Sequence, residues 1–178
     1  MEVTKYLSLL AIYLILLNHQ VTFAQDNPLI NKVCANLPNK AQCVSVLSSD
    51  KLSQQATLKD LAMISLRVAA SNATGILSDV KMLIDDPNLD PGIQQGLADC
   101  KETLLDAESQ LEDTVAALLS NAKRDAQLWL QAALAAIDTC DASIPGDDDV
   151  LSTKSRSFRQ LCNIAVAVNK VMTDDDKA

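Results

Sequence analysis

The sequence predicts an all-α fold, an up-down-up-down four-helix bundle preceded by a short helical hairpin. Apolar residues recur at intervals of three and four through four stretches of some 20 to 30 residues, as in amphipathic helices. Glycine and proline, which interrupt helices, number only four and five among 178 residues. Helices with apolar stripes of this length, joined by short loops, bury them against each other, which gives a bundle.

Residues 1–24 have the pattern of a signal peptide. An apolar run from Tyr6 to Leu17 follows Lys5, and Ala24 ends a stretch with small residues where a signal peptidase cleaves. The run is about twelve residues long, whereas a membrane-spanning helix needs roughly 20. We therefore expect a secreted protein that begins at Gln25 and has no membrane association after cleavage.

Cleavage would leave a chain that contains neither histidine nor tyrosine, with Trp129 and Phe158 as its aromatic residues. Catalytic triads and zinc sites built on imidazole are then excluded, and we expect a protein that is not an enzyme and binds no cofactor. The net charge of −8 argues against nucleic acid and anionic membranes as partners. A basic protein is the expected partner of so acidic a chain.

The elements follow in order. Residues 25–50 are expected to form the helical hairpin, with helices near 29–37 and 41–47 around Pro38. The bundle is expected over 57–172. Its first helix begins at Thr57, which forms a capping box with Asp60, and continues to about residue 86. The second helix begins after Asp90, an N-cap, with Pro91 at the first helical position.

A break at Ser120 and Asn121 leads into the third long helix, which should end before residue 144. The fourth is expected from Leu151 to Met172, and residues 174–178 are expected to be a disordered acidic tail that follows the domain 25–173. The residues predicted to face the core are Leu58, Leu61, Ala62, Ala69, Ala73, Ile76, Val80, Leu83, Ile93, Leu97, Cys100, Leu104, Ala107, Leu111, Val115, Leu118, Ala126, Leu130, Ala133, Ile137, Cys140, Phe158, Leu161, Cys162, Ala165 and Val168.

The cysteines predict two disulfides. Five cysteines allow fifteen ways of forming two bonds, but Cys100 and Cys140 lie almost equidistant from the turn at Ser120. Helices rise about 1.5 Å per residue, so these two arrive at the same height in an antiparallel hairpin. Closing that loop would stabilise the bundle by roughly 4 kcal/mol. Cys34 and Cys43 then pair across the turn of the N-terminal hairpin.

Other candidate sites have simpler interpretations. Cys162 lies in an apolar register, where a buried and unreactive thiol is expected. Asn72 begins a glycosylation sequon inside a predicted helix. The three acidic residues at 147–149 are interpreted as a solvated loop, so no metal site is predicted. Trp129 is either an anchor for a partner or, as we favour, a residue packed under the hairpin.

Several motifs together resemble the plant invertase and pectin methylesterase inhibitor family. They cover nearly all the mature chain, and the cysteine pattern with its Thr-Cys pair is the most specific. The family usually has Tyr where this chain has Leu104. The matching segments are Cys34 with Cys43, Asp60-Leu61, Asp99-Cys100-Lys101-Glu102, Leu105-Asp106-Ala107, Ala132-Ala133-Leu134 and Thr139-Cys140-Asp141.

The resemblance implies a secreted inhibitor that lies across the carbohydrate cleft of an enzyme in a reversible one-to-one complex. Pectin methylesterase is the favoured target, because the segment 161–164 resembles the last helix of pectin methylesterase inhibitors. The Pro-Lys-Phe tripeptide of some invertase inhibitors is also absent after Cys140. Acid invertase of the cell wall or vacuole is the alternative target. A secreted allergen-like or signalling bundle without an enzyme target is the more distant alternative function.

An acidic stripe is the candidate contact surface. At 100° per residue, Asp99, Glu102, Asp106 and Asp113 fall opposite the core direction of the second long helix. A solvated face would look the same, but the resemblance places family contacts with pectin methylesterase near the bundle disulfide. The positions that match those contacts are Glu102, Asp106, Thr139 and Asp141. We expect the complex to form in the apoplast, or in the vacuole if invertase is the target.

Overall fold

The computed structural model describes residues 27–146 and 149–175, with the side chains of residues 149 and 150 left out. The predicted leader, the Gln25 start, the first two acids of the 147–149 loop and the last three residues lie outside this part. The regular structure within it is helical. The helices are α1 (Pro28–Cys34), α2 (Lys40–Leu47), α3 (Leu58–Ile84), α4 (Pro91–Leu119), α5 (Lys123–Ser143) and α6 (Asp149–Asp175), and a 3-10 turn (Ser53–Gln55) precedes α3.

Helices α3 to α6 form the predicted four-helix bundle. Each packs against two others: α3 lies against α4 and α6, and α5 lies against α4 and α6. This square arrangement makes the α4/α5 side and the α3/α6 side opposite faces of the molecule. Most of the residues predicted to face the core are buried, and Leu104 is fully buried. Leu58, Leu83, Ile93 and Val115 are half-buried and pack against the core.

The helix ends follow the sequence signals. Thr57 accepts a hydrogen bond from the backbone N–H of Asp60, and the Asp60 carboxylate accepts one from the backbone N–H of Thr57. This reciprocal capping box satisfies two donors that the first turn leaves free. Asp90 caps α4, with Pro91 at its first position. Asn121 ends α4 in the left-handed region at φ 60°, a conformation that Asn adopts more readily than most residues.

The hairpin of α1 and α2 packs against α3 and α6. The Cys34–Cys43 disulfide closes it. Asn27 fixes its entry, because its side-chain amide donates to the carbonyls of Ser53 and Ala56 at 2.8 and 2.9 Å. These bonds tie the start of the hairpin to the segment that leads into α3, so the hairpin is a part of the same core.

The last helix is longer than expected. It continues to Asp175, whereas the sequence predicted its end near Met172 and a disordered tail from residue 174. Asp175 accepts a hydrogen bond from Lys32 of α1 at 2.6 Å. This contact to the N-terminal hairpin gives the last turn a partner that helical periodicity alone does not reveal.

One bundle helix resembles a membrane span in composition. Leu58–Ile84 is long and apolar enough to cross a bilayer, but half of its most apolar window is buried inside the protein. This helix contributes ten of its residues to the buried interior. Its hydropathy is that of a helix that buries one side in the core of a bundle.

Candidate protein-binding face

Four acidic residues line the outer surface of α4. Asp99, Asp106 and Asp113 recur every seven residues, a spacing that turns about 20° per repeat, and Glu102 falls beside them within about 60°. All four side chains are exposed. We call these four residues the acid stripe, and its placement agrees with the helical-wheel prediction.

The acid stripe faces away from α3. Glu108 marks the other side of α4, because its carboxylate accepts a hydrogen bond from the Thr74 hydroxyl of α3 at 2.7 Å. The stripe is about 120 to 180° around the helix from Glu108. It therefore faces solvent on the α4/α5 side of the bundle.

An apolar ridge on α5 accompanies the stripe. Trp129, Ala132 and Ala136 lie about 120 to 180° around α5 from Asp138, which is bonded to α6, so they face the α4 side. Ala132 and Ala136 are half-buried and Trp129 is 39% exposed. Thr139 is exposed and lies seven residues after Ala132, so it extends the ridge along α5.

The bundle disulfide joins the two surfaces. Cys100 and Cys140 are bonded, with their Cα atoms 4.0 Å apart. Asp99 directly precedes one cysteine and Thr139 directly precedes the other. Two of the predicted contact residues on different helices are therefore held at the same height.

Asp141 has a different environment from the other five predicted contact residues. Its carboxylate accepts hydrogen bonds from Ser155 at 2.6 Å and from Arg159, both on α6. The same guanidinium donates to Asp138 at 2.7 Å. We call this group the α5/α6 clamp. Asp141 is half-buried and engaged within the bundle, which the sequence did not reveal, because the partners come from another helix.

Burial alone would lower the pKa of Arg159. The hydrogen bonds with Asp141 and Asp138 outweigh it, so the pKa of Arg159 lies above its ordinary value. The guanidinium is therefore charged at any physiological pH. It remains a fixed cation between the two carboxylates that it joins.

The acid stripe is available to a partner. Glu102 has a Lys101 ammonium group at 3.4 Å, but its own side chain is 70% exposed, and surface pairs of this kind contribute little. Asp99 accepts from the Gln95 amide at 3.0 Å, one turn away. These weak local contacts leave the carboxylates free to meet cationic groups of another protein.

The remaining candidate residues lie elsewhere. Asn72 is half-buried on α3 at the α3/α6 side, far from the acid stripe. Cys162 is fully buried, and burial raises the pKa of its thiol to about 12. Trp129 lies on α5, whose main neighbours are α4 and α6. The interpretation that it packs under the N-terminal hairpin is therefore wrong, because the hairpin sits against α3 and α6.

Metal chemistry has no evident place in the described part of the chain. Within residues 27–146 and 149–175, no group of three or more His, Cys, Asp or Glu side chains is arranged to hold an ion. The acid stripe spreads along 15 residues of one helix, so its carboxylates do not converge on a point. Its geometry suits an extended partner surface.

The family model of plant invertase/pectin methylesterase inhibitors matches residues 28–168. A Platanus acerifolia protein, provisionally named an invertase inhibitor, is 26% identical over 146 residues, covering 79% of this chain and 81% of its own. Pectinesterase inhibitor 2 of Arabidopsis thaliana is 22% identical over 145 residues, covering 80% and 83%.

Solved structures show the same fold. A mutant form of a pectin methylesterase inhibitor from Arabidopsis aligns with a TM-score of 0.67 at 23% identity, covering 79% of this chain and 95% of that one. A second Arabidopsis thaliana inhibitor structure aligns with a TM-score of 0.60, covering 82% and 97%. The family match includes both disulfides, the acid stripe and the α5/α6 clamp. The chain therefore belongs to the plant invertase/pectin methylesterase inhibitor family, whose members inhibit enzymes and do not catalyse.

Proposed function

We propose that this protein inhibits pectin methylesterase by laying the side formed by α4 and α5 over the enzyme's substrate cleft. The observation that carries the proposal is the pairing of the acid stripe with the apolar ridge beside the bundle disulfide. A protein-binding surface combines an apolar patch with charged groups around it. Here both are present on two helices that a covalent bond holds together.

The charge of the face predicts the chemistry of the partner. Four carboxylates on one helix surface would attract a basic protein and speed its association at low salt. Many plant pectin methylesterases are basic, which fits an acidic inhibitor. Affinity would then come mainly from the apolar ridge and Thr139, since exposed charges act more on encounter than on the final free energy.

Pectin methylesterase remains the favoured target for the reasons found in the sequence. Segment 161–164 resembles that of pectin methylesterase inhibitors, although Leu161, Cys162 and Ile164 are buried and so cannot contact a partner. An acid invertase is the second candidate. The provisional name of the Platanus acerifolia relative favours it. Under either target we expect a reversible one-to-one complex outside the cytosol, in the apoplast for pectin methylesterase.

The test is a titration with both enzymes. Refolded residues 25–178 with both disulfides formed are added to a plant pectin methylesterase and to an acid invertase, and residual activity is read against the molar ratio. Loss of esterase activity at equimolar protein supports the proposal. Loss of invertase activity alone moves the target to the second candidate, and no effect on either contradicts inhibition of these enzymes.

The face is tested separately. Thr139→Trp places a large side chain on an exposed site of α5 and should weaken inhibition by a large factor through steric clash. Ser78→Trp makes a change of similar size on the exposed surface of α3, the helix diagonal to α5. Equal inhibition by the two variants would contradict the proposed face.

A further inference from the structure

We propose that Asn72 carries an N-linked glycan whose first sugar lies in a groove between α3 and α6. The proposal rests on entry into the secretory pathway, which the predicted signal peptide implies. The sequon Asn72-Ala73-Thr74 is only a short pattern, and many such patterns are unoccupied. The environment of Asn72 supplies the further evidence, because the side chain lines a groove shaped to receive a group of sugar size.

The α3/α6 groove has a volume of about 630 Å³. That lies within the range of roughly 300 to 1,000 Å³ typical of sites for small molecules. Its walls include Val68, Ile76 and Leu161, and the Lys154–Asp79 ion pair lies at its edge. Gly75 leaves part of the wall bare, since a Cβ atom there would meet nothing within 4 Å. Apolar walls with charged groups at the rim suit a pyranose, which has apolar faces and a hydroxylated edge.

The Asn72 side chain itself is incompletely satisfied. Its Oδ1 atom is buried and has no hydrogen-bond partner among the described residues. An unpaired buried acceptor destabilises the folded protein. A sugar on Nδ2 brings an acetamido N–H and hydroxyl donors to this amide, for whose oxygen the described residues supply no donor.

The structure also restricts when the glycan can be attached. Side chains two residues apart on a helix point about 200° apart. The Thr74 hydroxyl accordingly reaches Glu108 of α4, whereas Asn72 faces α6. An oligosaccharyltransferase must hold the amide and the hydroxyl together, so it can act only before α3 has folded.

The attachment itself is ordinary N-glycosylation. The donor is a lipid-linked oligosaccharide. The Asn72 Nδ2 atom forms a bond to C1 of its first N-acetylglucosamine, and the bond from C1 to the pyrophosphate oxygen breaks. One amide proton passes to a base of the transferase, and lipid pyrophosphate leaves. Folding then places the sugar in the groove, on the side of the bundle opposite the acid stripe.

The first measurement is the intact mass of the full chain, leader included, secreted from plant cells. We expect a glycan mass on the wild type and on Thr74→Ser, which keeps the sequon, and none on Asn72→Gln. Absence of the glycan from the secreted wild type would overturn the proposal. Secreted Asn72→Gln should inhibit the target enzyme as well as the wild type does, since the groove is opposite the binding face.

A thiol probe tests whether the sugar occupies the groove. Ser71→Cys introduces a thiol at the groove, and Ser109→Cys introduces one on the exposed surface of α4. Because Cys162 is buried, it adds no background labelling. With the glycan present, maleimide should label Ser71→Cys several-fold more slowly than after enzymatic removal of the sugar from the folded protein. Labelling of Ser109→Cys should not change.

Equal labelling of Ser71→Cys before and after deglycosylation would mean that the glycan extends into solvent, and would overturn its placement in the groove. Enzymatic removal keeps this test independent of whether Asn72→Gln folds. The inhibition assay separates the glycan proposal from the proposed function, because a chain that inhibits neither enzyme can still carry the sugar.

Discussion

Cys162 illustrates how burial determines the chemistry of a single residue. Its sulfur is completely enclosed, and burial raises the pKa of its thiol to about 12 from an ordinary value of 9.0. The thiolate is the nucleophilic form, so at neutral pH the folded protein holds this cysteine unreactive. The sequence supported this interpretation because the residue follows the apolar period of α6.

The raised pKa has a consequence for stability. Folding favours the neutral thiol, so the contribution of Cys162 is complete below pH 9 and is lost as the pH rises toward 12. From pH 9 to pH 10, the free energy of unfolding of the wild type should fall by about 1 kcal/mol more than that of Cys162→Ala. Urea titrations at the two pH values measure this. Parallel losses in both proteins would show that the thiol ionises freely in the folded state.

Reversing the charge of Asp106 tests how the acid stripe contributes to association. Asp106→Lys should slow association with a basic target enzyme and weaken the dependence of the association rate on salt, because it reverses a charge on the face. Glu112→Lys makes the same charge change on an exposed residue on the α3 side of α4. Stopped-flow association at several salt concentrations distinguishes them, and equal slowing would mean that only net charge matters.

Elements were predictable where the signal is local. The capping box at Thr57, the proline start of α4 and the break at Asn121 are all encoded within a few neighbouring residues. Features that depend on how one helix is rotated against another were not predictable. The α5/α6 clamp, the exposure of Trp129 and the continuation of α6 to Asp175 require knowledge of which side of each helix meets which neighbour.

The close approach of α4 to the end of α5 is another such feature. A Cβ atom on Gly96 would lie 2.3 Å from the carbonyl oxygen of Ser143 and 2.9 Å from the Cα atom of Ile144. Both contacts are with backbone, which cannot move aside without displacing the helix end. The Ser143 hydroxyl also donates to the Gly96 carbonyl at 2.9 Å. A glycine is therefore required one turn before Cys100.

Two glycine substitutions should have opposite effects. Gly96→Ala should lower the free energy of unfolding by about 1 to 3 kcal/mol, because the added methyl group forces the helices apart. Gly75→Ala should raise it by roughly 0.5 to 1 kcal/mol, because its Cβ meets nothing and alanine favours the helix. Chemical denaturation measures both. Stabilisation by Gly96→Ala would contradict the close approach described here.

At the scale of the whole molecule, the two disulfides have different roles. Cys34–Cys43 closes a loop of nine residues at one edge, whereas Cys100–Cys140 spans 40 residues and joins the two helices of the proposed face. The sequence predicted both pairings, since residues equally far from the turn of an antiparallel helical hairpin arrive at the same height. The partner enzyme was not predictable to the same degree, because both kinds of target are bound by one family.

Replacing both cysteines of a pair by serine separates these roles. Loss of Cys100–Cys140 should reduce the free energy of unfolding by roughly 4 kcal/mol, and loss of Cys34–Cys43 by about 2.5 kcal/mol. Inhibition by folded protein should fall much more in the first variant, because its face is no longer held together. Equal losses of inhibition per folded molecule would contradict the placement of the face.

The α5/α6 clamp and the bundle disulfide act at the same height, since Asp141 directly follows Cys140. The disulfide joins α5 to α4 covalently, and the clamp joins α5 to α6 through Arg159 and Ser155. The three helices can hardly slide or turn relative to each other there. A surface that is already ordered loses little conformational entropy when a partner covers it. The inhibitor would thus present a rigid surface, and the enzyme would make the conformational adjustment that complex formation demands.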